Sequence, residues 1–318
     1  MKRRERKMKP TAEMMNRRWL GFELNILRRL KFSTIAIPFA GQPDLDWYLK
    51  FWGKQVRTND LCQWAWWMAR GYVENREETL TEDDVSFLLG DSYVPHRRLH
   101  NPALGNYLSE MEAVWFDNLW LNLRQLTSPY RQALAISHAL KVGDYVFSFR
   151  PETAGLKRPL SEVFVHLWRR QREIIDNGKE NTCANLEAED FIRQTRADLM
   201  FARFPSARGL AAWRDGASDW REIWVRGNAE EWEELLSRRR GKLGDTVLSK
   251  QYYLELVDQF LAQARHIPTW AISHTEDGFL SSTELADRIK KFRRLEVIYH
   301  KDFSEVLGGR NTYLMIAR

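Results

Sequence analysis

The stretch IAIPFAGQPDLDWYLKFWGKQVRTND, Ile35 to Asp60, decides the fold. Its first half is a short apolar, β-branched run that closes on a glycine. Its second half is a helix-length segment feeding another short run that ends on an acid. Strand, glycine turn, helix and acid-tipped strand together make the unit that holds nucleotide-type cofactors. The glycine lets the backbone approach the ligand, and the acid accepts from ribose hydroxyls. One residue is out of keeping: Pro43 stands where such a turn wants a second glycine, and proline has a fixed φ and no N–H.

Working outward, the 318 residues are 44% hydrophobic, enough for one large core or two modest ones. No apolar run approaches the roughly 18 residues of a membrane span, so the expectation is a soluble chain with no membrane partner. Cys62 and Cys183 lie far apart and neither belongs to a CxxC pair, which argues against a disulfide framework and a zinc site and fits a cytoplasmic location. The N-terminal MKRRERKMK is followed by no apolar segment, so residues 1–16 read as an exposed basic arm rather than a secretory signal.

The formal charge of +6 favours a polyanionic partner. The basic residues are also clustered. Six lie in the first nine positions, Lys2, Arg3 and Arg4 among them, and further runs occur at Arg169-Arg170, at Arg238-Arg239-Arg240 with Lys242, and at Lys290-Lys291 with Arg293-Arg294. Solvated helix faces with nearby Glu account for the last run.

Short β-branched or aromatic runs predict strands at Thr34–Phe39, Gln55–Thr58, Ala197–Phe204, Thr269–Ser273, Glu296–Tyr299 and Thr312–Ala317. Helices are expected at Leu61–Asn75 and Leu80–Leu89, the latter opened by Thr81 with Asp84 as a capping-box pair. The strand-free run containing Asn106–Leu126, Pro129–Lys141 and Leu160–Asp176 is too long for one crossover and reads as a helical insertion. The end of the chain, a capped helix and two strands joined by a turn with Gly308 and Gly309, predicts an antiparallel hairpin finishing a mostly parallel sheet. The fold class is therefore α/β. Residues 17–90 and 180–318 form the sheet domain, and 91–179 the helical insertion.

IPFAG, YLKFWGKQVRTNDL, ALAISHALKVGDY, NTCANLEAEDFI, ADLMFARFP and WAISHTEDGFLSSTELADRIKKFRRLEVIYH ending in NTYLMIA follow one another in an order and spacing that resembles the Dam-like class of adenine-specific DNA methyltransferases. The resemblance covers roughly residues 17 to 318. It implies a Rossmann-like methyltransferase sheet that binds S-adenosylmethionine, with the helical insertion as target-recognition region. The implied cofactor residues are Pro38, Phe39, Ala40, Gly41 and Asp60, with Gly21 from an N-terminal element that carries a glycine and then a lysine. Asp60 also suits a second role, capping the helix that begins near Leu61.

Three departures fall where the family's chemistry is concentrated. Gln42 and Pro43 stand where a small residue and a second glycine are usual. Glu23 replaces the lysine of Arg18-Trp19-Leu20-Gly21-Phe22-Glu23. The catalytic tetrapeptide, an acidic or amide residue, two prolines and an aromatic, is represented by Arg203, Phe204, Pro205 and Ser206. In the family the side-chain and backbone oxygens accept from the exocyclic amine of a flipped adenine while the aromatic stacks on the base. A guanidinium offers no acceptor.

Thr127-Ser128-Pro129-Tyr130 holds a proline-aromatic pair but reads as a helix start, and no HExxH, GxSxG or GxxxxGK[ST] pattern occurs. The fourteen tryptophans read mainly as core, with Arg208 to Arg226 the segment suited to stacking on bases. Arg208 and Arg214 there, with Lys2, Arg3, Arg4, Arg238, Arg239, Arg240 and Lys242, are the candidate DNA contacts. The expectation is a DNA-binding protein of methyltransferase fold that has lost its chemistry, serving as subunit or regulator beside a restriction-modification or phage-defence enzyme. The alternative is an active S-adenosylmethionine-dependent adenine methyltransferase with divergent motifs.

Overall fold

The computed structural model describes residues 12–90, 98–205, 207, 219–276, 279–303 and 311–318. In chain order the elements are α1 (Ala12–Leu27), β1 (Thr34–Ile37), α2 (Asp44–Phe51), β2 (Gln55–Asn59), α3 (Gln63–Ala69), α4 (Glu82–Leu88), α5 (Glu110–Leu123), α6 (Pro129–Phe147), α7 (Leu160–Arg169), β3 (Thr182–Ala184), α8 (Ala188–Gln194), β4 (Leu199–Arg203), α9 (Asp219–Arg226), α10 (Glu230–Arg238), α11 (Lys250–Gln263), β5 (Thr269–Thr275), α12 (Ser282–Lys290), β6 (Leu295–Asp302) and β7 (Asn311–Ala317). Among the described residues no helix is long and apolar enough to cross a membrane.

The seven strands form one sheet in the order β3-β2-β1-β4-β5-β7-β6. The first five are parallel, while β7 runs antiparallel between β5 and β6. All six predicted strands are present, and the predicted hairpin is β6–β7. The strand the periodicity missed is β3, only three residues long, with too little sequence to show a period. The predicted helix at Leu61–Asn75 is α3 continued by a π-helical turn, Arg70–Glu74. Pro129–Lys141 extends to Phe147, because Val142, Gly143 and Val146 remain on the buried face.

Period-two alternation in β1 sets the layers. Ile35 and Ile37 point to one face of the sheet with Leu27 of α1 and Leu45 and Leu49 of α2. Ala36 points to the other, packed with α8, α11 and α12 through Ile192, Phe260 and Ile289. A third core is helical. It joins Trp64 and Tyr72 to α4, α5, α6 and α7, and also takes in Trp220, Trp224 and Trp232 from α9 and α10. The helical layer is thus built from residues before, within and after 91–179, since amphipathic helices need one another's apolar faces wherever they lie in sequence.

Strand order fixes where a ligand can enter. From β1 the chain runs outward through β2 to β3, then returns to place β4 on the other side of β1. In an open parallel sheet such a reversal opens a crevice beyond the carboxyl ends of the two central strands. Gly41 follows β1, Asp60 follows β2, and Arg203 ends β4.

Candidate functional site

Gly41 is the turn's left-handed residue, at φ +58°. Its N–H, the donor such turns offer to a ligand, points to Asp60 Oδ2 at 2.8 Å. The other carboxylate oxygen, Oδ1, accepts from Cys62 N at 2.8 Å, in the turn that opens α3. Asp60 therefore closes an Asx-type turn ahead of α3, whose N-cap is Cys62 and carries no side-chain cap bond, and so does not cap the helix itself; it also straps β2 to the β1 turn. Burial raises its pKa, against the two N–H donors and the nearby Arg239 charge. Asn59 beside it donates to Pro38 O at 3.1 Å and Leu186 O at 3.0 Å, joining the ends of β1 and β2 to the segment after β3.

Pro43 sits at φ −82°, ordinary for proline, and leads directly into α2 without a side-chain cap. Only one residue of the turn is left-handed, so the second glycine of the usual pattern has no counterpart in shape. Gly41→Ala has free space for its methyl group. It should lose only the left-handed strain, about 1 kcal/mol in urea unfolding; no measurable loss would mean the turn does not depend on this conformation.

Arg203 and Glu23, the two charge-reversed positions, meet. Arg203 Nε lies 2.9 Å from Glu23 Oε1, and its Nη2 donates to Oε2, completing a two-pronged pair. Glu23 is fully buried, while the Arg203 side chain is 28% exposed. Burial opposes the guanidinium charge, but Glu23 outweighs it and raises the Arg203 pKa. The Trp19 ring lies 5.7 Å from the guanidinium carbon and the Phe201 ring 5.2 Å. Two departures that read as independent in sequence are in contact: an acid where the resembled class has a lysine, and an arginine where it has an acid or amide.

The rest of the tetrapeptide is absorbed into packing. Phe204 sits 6.1 Å from Phe39 and 5.5 Å from Phe260, ring centre to centre, and Phe39 is 5.2 Å from Phe260. The Pro205 carbonyl accepts from the Tyr253 hydroxyl at 2.7 Å. Ser206 lies outside the described residues. Pro38 and Ala40 are buried. Gly21 lies on the exposed side of α1 with nothing within 4 Å of a Cβ placed there, so the helix does not require glycine.

The candidate DNA contacts separate into three groups. Lys2, Arg3, Arg4, Arg208 and Arg214 lie outside the described residues. Arg238 and Arg240 are exposed at the end of α10, and Lys242 is half-exposed 3.4 Å from Glu187. Arg239 turns inward instead. It is 8% exposed, donates to Leu243 O at 2.9 Å, and stands near enough to Asp60 to favour its charge. Its guanidinium would meet a Cβ on Gly244 at 2.5 Å, beside the Pro205 ring. Arg239 thus belongs to the inner wall of the crevice, not to the outer surface with its three neighbours. The tryptophans follow the core reading: Trp220 and Trp224 are 0% and 1% exposed and present no stacking face, and Trp213 lies outside the described residues.

Sequence reasoning missed Asp46. This α2 residue is 1% exposed, and burial lifts its pKa to about 6. Its signal was visible: an acid at position three of a short helix whose neighbours Leu45 and Leu49 face the core. It also missed Glu222, buried in α9, which accepts from Trp64 N at 3.2 Å and from Arg226 Nε at 2.7 Å.

These residues do not fit S-adenosylmethionine in the manner the resemblance implies. The turn amide and the acid are committed to each other, an arginine stands at the acid, and the end of β4 carries a donor where an acceptor is needed. Among the described residues no group of three His, Cys, Asp or Glu side chains is arranged to hold a metal ion. No protein-family model and no curated protein matches the chain.

Proposed function

We propose that the chain is a DNA-binding protein with the fold of an adenine-specific DNA methyltransferase that does not transfer methyl groups, acting as a subunit or regulator beside a restriction-modification or phage-defence enzyme. The Arg203–Glu23 pair carries this reading. A guanidinium held on two prongs by a buried carboxylate has no lone pair for an adenine amine and repels the positive charge that amine gains as it attacks. The mostly parallel sheet with an antiparallel β7 is consistent with the methyltransferase fold. The exposed Arg238, Arg240 and Lys242 are suited to phosphate contacts.

Calorimetry with S-adenosylmethionine and with its demethylated product separates the readings. No heat with either ligand is expected, and transfer of a labelled methyl group to DNA would establish the active enzyme instead. For DNA, three phosphate contacts release enough counterions that raising salt from about 50 to 200 mM should weaken duplex binding roughly 40-fold. Affinity indifferent to salt, or no binding at low salt, sinks the DNA part.

A further inference from the structure

A second polar cluster lies away from the crevice turn, where α2 and the π-helical turn meet the helical layer. Lys141 on α6 places its ammonium 5.2 Å from the centre of the Tyr72 ring. The Arg172 guanidinium lies 5.6 Å from the same ring and 5.2 Å from that of Trp47. Two cations thus share one aromatic wall. The carboxylates nearby are already taken: Asp44 pairs with Arg172, and Asp144 with Arg221. Lys141 is left over, with no carboxylate within ion-pairing distance among the described residues.

We propose that Lys141, Arg172 and Tyr72 form a recess that binds a phosphate-type oxyanion. Three observations converge on it. A partly buried lysine with no counter-ion is costly, and the usual remedy is a partner of opposite charge. The Tyr72 hydroxyl is buried without a hydrogen-bond partner, in a residue only 2% exposed, so a donor is left unused. The neighbouring Arg172 and Asp44 side chains are 32% and 37% exposed, so solvent reaches this side of the cluster. A planar fork, a point charge and a hydroxyl donor suit the several oxygens of a phosphate better than the two of a carboxylate. Burial and the neighbouring Arg172 lower the Lys141 pKa against the pull of Asp44 and Asp144, as expected of a cation missing its counter-ion.

A free phosphate and the phosphodiester of a nucleic-acid backbone share this chemistry, and the recess stands independently of the function proposed above. The test titrates the full chain calorimetrically with inorganic phosphate, and separately with a short DNA duplex, each against chloride at matched ionic strength. The companion variant is Lys141→Met, which keeps the stem against Tyr72 and removes the charge. Wild-type protein should bind at least one probe, and the variant should bind it about tenfold or more weakly with an unchanged circular dichroism spectrum. Tighter binding of the duplex assigns the recess to backbone phosphate, and tighter binding of phosphate to a free anion. Wild-type protein that binds neither, or a variant that binds as well as wild type, overturns the proposal.

If Lys141→Met does not fold, wild-type protein alone decides. The anion should slow acylation of Lys141 by a small amine-reactive ester several-fold relative to the exposed Lys290, read by peptide mass spectrometry. Equal labelling with and without the anion rejects the recess.

Discussion

Replacing Glu23 by glutamine should destabilise the chain by about 3 kcal/mol, because it leaves the Arg203 guanidinium packed between Trp19 and Phe201 without its counter-charge. The Arg203 side chain retains 28% exposure, so water recovers part of the loss and the lower end of the range for broken buried pairs applies. Removing both partners together, as Glu23→Leu with Arg203→Met, should return most of the stability, since a buried pair contributes little net energy over apolar replacements of similar volume. Denaturant unfolding of Glu23→Leu alone, Arg203→Met alone and the double gives the coupling directly. A loss under about 0.5 kcal/mol for Glu23→Gln, or strict additivity of the two singles, would mean the pair is incidental.

Asp46→Asn should act in the opposite direction and raise stability at pH 7 by about 3 kcal/mol. Burial is the main reason that this carboxyl rises from 3.8 to about 6; the Thr58 hydroxyl, its own amide and the Arg203 charge offset it only in part. A folded-state pKa above the unfolded one means that between about pH 4 and 6 the folded chain holds a proton the unfolded chain has released. Stability from this group is therefore full below about pH 4, falls through that window, and is gone at neutral pH. Asparagine never ionises, so the gap between variant and wild type should be widest at pH 7 and close by pH 4. Equal stability at pH 7 would show the carboxylate to be better solvated than its position implies.

Six of the seven strands and the turn after β1 were legible because each rests on local chemistry, whereas the crevice follows from the strand order. The β-branched runs, the glycine after β1 and the acid after β2 each announce themselves within a few residues, and the C-terminal hairpin followed from two strands around one turn. The candidate site was legible position by position but not as a set of contacts. Glu23 and Arg203 are 180 residues apart, and no periodicity connects an α1 carboxylate to a β4 guanidinium. Arg239 shows the same limit from the other side. In sequence it is one of three consecutive arginines, whereas the turn that ends α10 sends successive side chains in different directions, so that its neighbours meet water and Arg239 meets the crevice. The helical core escaped for a related reason, since α9 and α10 join it from beyond β4.

The distance in sequence between Glu23 and Arg203 also bears on how the chain is made. A ribosome adding about 5–20 residues per second needs on the order of 10 s to travel from one to the other. During that interval α1 has β1 and α2 to lie against, but its Glu23 carboxylate must keep its water, since the guanidinium that replaces that water does not yet exist. The N-terminal helix can reach its final seat only after β4 has been synthesised and paired with β1, so closing this end of the molecule belongs to the last steps of folding, not the first.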